Sequence, residues 1–322
     1  MSSLAFVAAQ SHQQSCNLFS AGLPASFKWS SSGAIVGAKD DGRGIAGIKD
    51  PSIVKIDGKY HVFASTAQAS GYNLVYLSFT DLDSAKSATF HYLDQTSIGT
   101  GYRAAPQNGN AAYSTNPDIN DPSKWSAPKD FFSGTPSIIK ENIGTGYCVD
   151  MWVICDAENC HLFSSDDNGH LYRSQTTLAS FPTGFDDTVI AHSDTDKNKL
   201  YEASNVYRVE GGDYVLLVEA IGTDHARYFR SRTATTLSGT WTALAATESD
   251  PFAGSQNVAF SGAAWTKSIS HGEAVRENTD QTLTISPCKL QYLYQGVGPT
   301  ASGGYNALPW QLALLTQTNS AC

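Results

Sequence analysis

The chain has 322 residues, 41% hydrophobic and only 16% charged, so it can build a large core and is not a disordered chain. Its formal charge is −9 with no run of lysine or arginine, which argues against nucleic acid or an anionic membrane as partner and leaves a neutral ligand such as a sugar. Its 15 Tyr, 14 Phe and 27 Gly suit short β-strands joined by polar turns.

The first residues, "MSSLAFVAAQS", hold a short apolar run, Leu4 to Ala9, that resembles the end of a secretory signal without its basic start. Residues 1–15 read as a signal remnant or disordered N-terminus, and 16–322 as a single domain. No stretch approaches about 18 apolar residues, so no membrane span is expected. The first strong element is "IKDPSIVKIDGKYHVFAST", two apolar strands joined at Asp57-Gly58, the strongest two-residue hairpin signal. Asp50 and Pro51 stand at its head, where a strand tolerates proline. An isolated Asp-Pro is more often a turn than a functional site, so the question is whether acids head other hairpins.

They do. "DMWVICDAENCHLFSSDDNGHLYRSQT" gives three strands with Asn168-Gly169 as a tight turn, and "SNVYRVEGGDYVLLVEAIG" turns at Gly211-Gly212. "HGEAVRENTDQTLTISP" leads into "LQYLYQG". The unit heads fall at Asp50, about Ala104, Asp150, Glu202 and the Gly262 to His271 region, roughly fifty residues apart. That period, built from three or four strands, predicts an all-β, five-bladed β-propeller. The second unit is defective: after "TGYRAAPQ" no apolar run of four precedes Tyr113. Either this blade is built differently, or a hairpin is absent near Gln107-Asn108.

Innermost strands of a propeller line its axis, so acids at equivalent positions converge at one mouth. Asp50, Asp150 and Glu202, each among apolar or aromatic neighbours, occupy such positions. Partial burial and mutual repulsion push carboxyl pKa values apart, which glycoside hydrolysis needs: one carboxylate to activate water, one acid to protonate the leaving oxygen. Glu219, in an alternating strand, reads instead as a structural partner. Cys155 and Cys160 flank a short turn and read as a local bridge, and pairing Cys16 with Cys288 would tie the first and last segments together. There is no C-x-x-C pair, so structural zinc is not expected. Disulfides point to an extracellular setting.

The set "IKDPSIV", "VDMWVI", "LYEASNVY", "VEAIGTDHARYFRS", "AAWTKSISHGEAVR" and "GGYNALPW" resembles glycoside hydrolase family 62, from about Cys16 to the C-terminus. The resemblance implies a secreted, inverting, exo-acting α-L-arabinofuranosidase that removes single arabinofuranose side chains from arabinoxylan, and a monomer is expected. It makes Asp50 the general base, Glu202 the general acid and Asp150 the residue that modulates the acid and orients the sugar. Lys49, Arg227, Tyr305 and Asn306 match positions that contact substrate. His271 matches an axial histidine that binds a metal, usually calcium, largely through waters; calcium prefers oxygen ligands, so the ion is taken as structural. Family members continue after the "APQ" motif with an aromatic-rich hairpin that this chain lacks, and Cys148 stands where a bulkier residue is expected. Two alternatives stay open: a family 43-like arabinan or xylan glycosidase, and a catalytically impaired carbohydrate-binding propeller. Trp152, Trp265, Tyr305 and Trp310 could stack on sugar rings, although most such aromatics pack cores.

Overall fold

A computed structural model of the protein describes residues 22–101, 111–277, 280–320 and 322. The expected hairpins form. Asp57 and Gly58 both take positive φ, 50° and 76°, which matches the twist of the strands they join, Gly47–Ile56 and Lys59–Gln68. With Gly71–Phe79 and His91–Tyr92 these make a first sheet. Val149–Cys155, Asn159–Ser165, His170–Thr177 and Asp186–Ser193 make a second, and Glu202–Arg208, Tyr214–Ile221, Arg227–Ala234 and Thr242–Ala243 a third.

The closing sheet has five strands in the order Val258–Phe260, Trp29–Ser31, Gln311–Gln317, Gln291–Gly296 and Ser270–Ala274. Trp29–Ser31 runs antiparallel to Gln311–Gln317, so the chain's two ends meet in one sheet and close the ring. No local pattern marks this closure, because a three-residue strand has no periodicity to read. The first strand of each unit is innermost: 47–56 packs on 270–274, 270–274 on 202–208, and 202–208 on 149–155. Between sheets the faces interdigitate. Tyr207 and Leu217 of the third sheet meet Tyr292 and Leu315 of the closing sheet, and Ile48 and Val62 of the first meet Leu293 and Leu312. Each such side chain, fully buried, contributes about 1.5–3 kcal/mol.

The five-blade count is corrected. Among the described residues there are four sheets of four or five strands and a two-stranded ladder, Ala112–Tyr113 with Lys129–Asp130. The second unit lacks the apolar hairpin that every other unit places after its head, so only this short pair forms. It leans on both neighbours: Trp125 meets Phe63 of the first sheet edge-on at 5.3 Å, and Ala111 packs with Cys155 and Leu162 of the second. The unit head near Ala104 and the gap at Gln107-Asn108 lie outside the described residues, as does the N-terminal segment read as a signal remnant.

Cys155 and Cys160 form the expected local disulfide. The Cys16–Cys288 pairing is corrected: Cys288 bonds Cys322. Gln317 N–H donates to Leu290 O and Thr318 N–H to Lys28 O, which lays the C-terminal segment beside Cys288. Cys148 is a free, buried thiol packed with Ile139 and Tyr172. No helix among the described residues is long and apolar enough to cross a membrane.

Candidate active site

The site is built from four interruptions at one level of the ring. Each innermost strand slips register once: between Lys49 and Ser52, Val149 and Trp152, Glu202 and Asn205, and Ser270 and Gly272. Such bulges bend a strand and re-aim its side chains. Three of them carry a non-glycine residue at positive φ: Asp50 at 49°, Asp150 at 59° and Ala203 at 53°. That conformation costs an ordinary residue about 1–2 kcal/mol, so surrounding contacts must hold it. A bulge also frees a backbone donor from the ladder, and a buried donor needs an acceptor. Asp50 N–H donates to Gln295 Oε1 at 2.6 Å, Ala203 N–H to Asp150 Oδ2 at 2.5 Å and His271 N–H to Glu219 Oε2 at 2.6 Å. Every acceptor comes from a different sheet than its donor, so the bulges are strapped to one another around the axis.

The side chains so aimed converge. The His271 ring lies between two acids, Nδ1 3.5 Å from Asp50 Oδ1 and Nε2 3.8 Å from Asp150 Oδ1. Lys49 Nζ stands 3.5 Å from Asp50 Oδ1 and lies over the rings of Tyr305, at 4.5 Å, and Tyr72, at 5.1 Å. Arg227 Nη1 donates to Glu202 Oε1 and to Glu219 Oε1, both at 2.7 Å, and its guanidinium sits 4.6 Å over Tyr201. Asp50, Asp150 and His271 also wall an axial cavity of about 100 Å³. Glu202 is not part of that wall. It joins the group through Arg227 and through its neighbour Ala203, whose N–H is held by Asp150.

The electrostatics separate the acids. Burial raises the pKa of Asp50, but Lys49 and His271, with a hydrogen bond from Ser65, outweigh it and hold Asp50 below the ordinary carboxylate range. Asp150 is pushed up by burial, helped by Glu202 and opposed by His271. Burial works against the charge on His271, yet Asp150 and Asp50 raise its pKa overall. Lys49 is likewise opposed by burial and raised by Asp50. Asp50 is thus held ionised, as a group that takes a proton from water must be, while Asp150 keeps its proton more readily.

Tyr305 is 46% exposed at the rim and covers Lys49, while Asn306 accepts a hydrogen bond from the Tyr72 hydroxyl. Trp152 instead donates to Val206 O at 2.8 Å and packs on Tyr207, Trp265 packs on Tyr294, and Trp310 is buried. Two acids of the site are not placed there by reading the sequence. Glu219, read as a structural strand partner, is fully buried in the site and sits directly opposite Glu202 in the ladder. Counting register from the Gly211-Gly212 hairpin sets Glu202 against Ala220, and the slip between Glu202 and Asn205 puts Glu219 there instead. Asp167, at φ 54°, faces Asp150 and Glu202 and is pushed up to about 8 by burial and by those two charges. In "DDNG" it reads as an ordinary turn, and nothing local marks it.

The axial calcium ion expected at His271 would be reached through waters, as the resemblance implies, rather than by a direct bond. Calcium takes six to eight oxygen ligands, whereas both His271 nitrogens already face Asp50 and Asp150. Among the described residues no group of three or more His, Cys, Asp or Glu is placed to hold a metal ion. No step below runs through a metal.

Residues 28–316 match the family model for glycosyl hydrolase family 62. The catalytic domain of a Coprinopsis cinerea family 62 α-L-arabinofuranosidase is 61% identical, with a TM-score of 0.91 over 93% of this chain and 100% of that one. A family 62 hydrolase solved in complex with xylotriose is 55% identical, with a TM-score of 0.88 over 93% of this chain and 99% of that one. Alpha-L-arabinofuranosidase C of Cellvibrio japonicus is 39% identical over 91% of this chain, which spans about half that relative's length, 47%. With its bulged ring of acids and this likeness along nearly its whole length, the chain belongs to glycosyl hydrolase family 62.

Proposed function

We propose that the protein is an inverting, exo-acting α-L-arabinofuranosidase that removes single arabinofuranose side chains from arabinoxylan. Asp50 takes a proton from water, and the water oxygen bonds to the anomeric carbon of arabinose. The bond from that carbon to the xylan oxygen breaks, and Glu202 gives its proton to that oxygen. Asp150 orients the acid by holding Ala203 N–H, one residue from Glu202. Lys49, Arg227, Tyr305 and Asn306 hold the sugar. Beside them a groove of about 450 Å³ at Tyr72 and Asn73 offers room for the xylan chain, and the relative solved with xylotriose supports that use. The observation that carries this reading is the meeting of Asp50, Asp150 and Glu202, from three sheets, around His271 and Arg227. Arabinoxylan digestion followed by early proton NMR tests it: β-arabinofuranose should appear first. Release of xylose alone, or of the α-anomer first, would refute it.

The Ala112–Tyr113 ladder is read as the remainder of a fifth blade, since it spans from the first sheet to the second. The same shortened unit favours a second reading, a propeller that binds arabinoxylan without cleaving it. Binding with no released arabinose selects that reading. The two disulfides support an extracellular location, to be tested by secretion of the full-length gene product. A monomer is proposed, to be checked by light scattering.

A further inference from the structure

We propose that Glu219 is a positioning residue that sets the pH range in which Glu202 can donate a proton, by taking a share of Arg227 away from it. The proposal rests on reading Glu202 as the acid. A carboxylic acid facing an arginine alone ionises readily and loses the proton it must deliver. Here one nitrogen, Arg227 Nη1, is divided between the two glutamates at equal distances of 2.7 Å. Glu219 cannot swing away. Its side chain is fully buried, Ser270 Oγ donates to both its oxygens at 3.0 and 3.2 Å, and His271 N–H donates at 2.6 Å. The Glu202 side chain is 19% exposed and has the freedom to meet a substrate.

The charged groups facing Glu202 are the cations Lys49, Arg227 and His271 and the acids Asp150, Asp167 and Glu219. The phenols of Tyr201 and Tyr305 lie at the edge. Of these, Glu219 alone shares the guanidinium nitrogen on Glu202. Burial pushes Glu219 up, and Arg227 holds it down, so the pair is mutually dependent. A merely structural Glu219 would strap the His271 bulge and nothing more, and glutamine at 219 could accept the same N–H.

The experiment compares the whole protein with Glu219→Gln. The Glu202 carboxyl is followed by carbon-13 NMR titration, its signal assigned with Glu202→Gln. In Glu219→Gln the Glu202 midpoint should fall by about one pH unit, and the alkaline limb of kcat/KM on arabinoxylan should move with it. A folded Glu219→Gln protein with an unmoved midpoint overturns the proposal. Should that variant not fold, Glu219→Asp replaces it, which keeps the charge and draws the carboxylate back from Arg227 by one methylene. The Glu202 midpoint should again fall, and an unmoved midpoint in the folded variant overturns the proposal. The titration needs no substrate, so a wild-type protein that releases no arabinose refutes the proposed activity and leaves this test intact.

Discussion

The acid pocket and the second-unit region lie side by side in the ring and answer to different rules. At the pocket the irregularities are held. Three of the four bulges, at Asp50, Ala203 and His271, have a backbone N–H held by a side-chain acceptor from another sheet. In the second unit two residues pair with two, and the rest leans on neighbouring sheets through aromatic contacts such as Trp125 with Phe63 and Phe131 with Phe185. The difference separates chemistry from support. None of Asp50, Asp150, Glu202, Arg227 and His271 comes from the short unit, so its loss weakens a wall of the ring and leaves the acids in place.

The sharpest way to break this contrast is to remove the chemistry alone. Asp50→Ala and Glu202→Ala should each lower arabinose release by about 100- to 10,000-fold, as loss of a general base or acid does. Glu202→Ala should leave the thermal midpoint near the wild type, since that side chain is partly exposed, whereas Asp50→Ala should lower it, because alanine at φ 49° is more strained than aspartate and buried Lys49 loses its partner. Near-normal turnover by both variants would sink the assignment. The opposite operation removes the defect. An aromatic-rich hairpin inserted between Gln107 and Asn108, burying roughly 150 Å² more apolar surface, should add about 4 kcal/mol. For a chain of this size that is a rise of about 6 °C in Tm by calorimetry. An unchanged Tm would show that the short unit is complete as it stands.

The part of the molecule legible in the sequence follows the same division. Hairpins with Asp-Gly or Gly-Gly turns and alternating strands could be read directly, and with them the heads at Asp50, Asp150 and Glu202, because local turn chemistry fixes them. The defect was legible too, as a missing apolar run before Tyr113. What could not be read is what needs three dimensions. The Cys288–Cys322 bond and the closing strand Trp29–Ser31 depend on where the chain's ends meet. The bulges are also hidden, since a one-residue register slip leaves no mark on a period of two. Glu219 shows the same limit: an acid on an alternating strand reads as a structural partner unless its cross-strand neighbour is known.

Lys49 sharpens the comparison within the pocket. It is buried, 3.5 Å from Asp50, and is the largest influence holding that acid below the ordinary range against burial. Asp50 must be ionised to take a proton from water. Lys49→Met should therefore raise the pKa of Asp50 and move the acid limb of kcat/KM upward by about one pH unit. Activity should fall about tenfold on that limb and recover in part toward neutral pH. A loss of equal size at every pH would assign Lys49 to sugar binding alone.

The smallest effect concerns Asp167, and its sign is the informative part. Its Oδ1 is buried without a hydrogen-bond partner among the described residues, and burial with Glu202 and Asp150 pushes the carboxyl up to about 8. A group whose folded pKa lies above its unfolded value, about 3.9, stabilises fully below that value and loses its contribution as pH rises through 8. Asparagine carries no charge and tolerates the φ of 54° found here. Asp167→Asn should thus match the wild type near pH 4 and exceed it at pH 7 by on the order of 1 kcal/mol after allowance for solvent screening. Calorimetry would show this as about 1.5 °C in Tm. A gain already present at pH 4 would trace the effect to backbone relief, and no gain at pH 7 would mean the carboxyl is not destabilising. An acid that a neutral isostere can better at neutral pH is held for its chemistry rather than for the fold. In the short unit Asp121 is instead lowered by ordinary hydrogen bonds from Ser123.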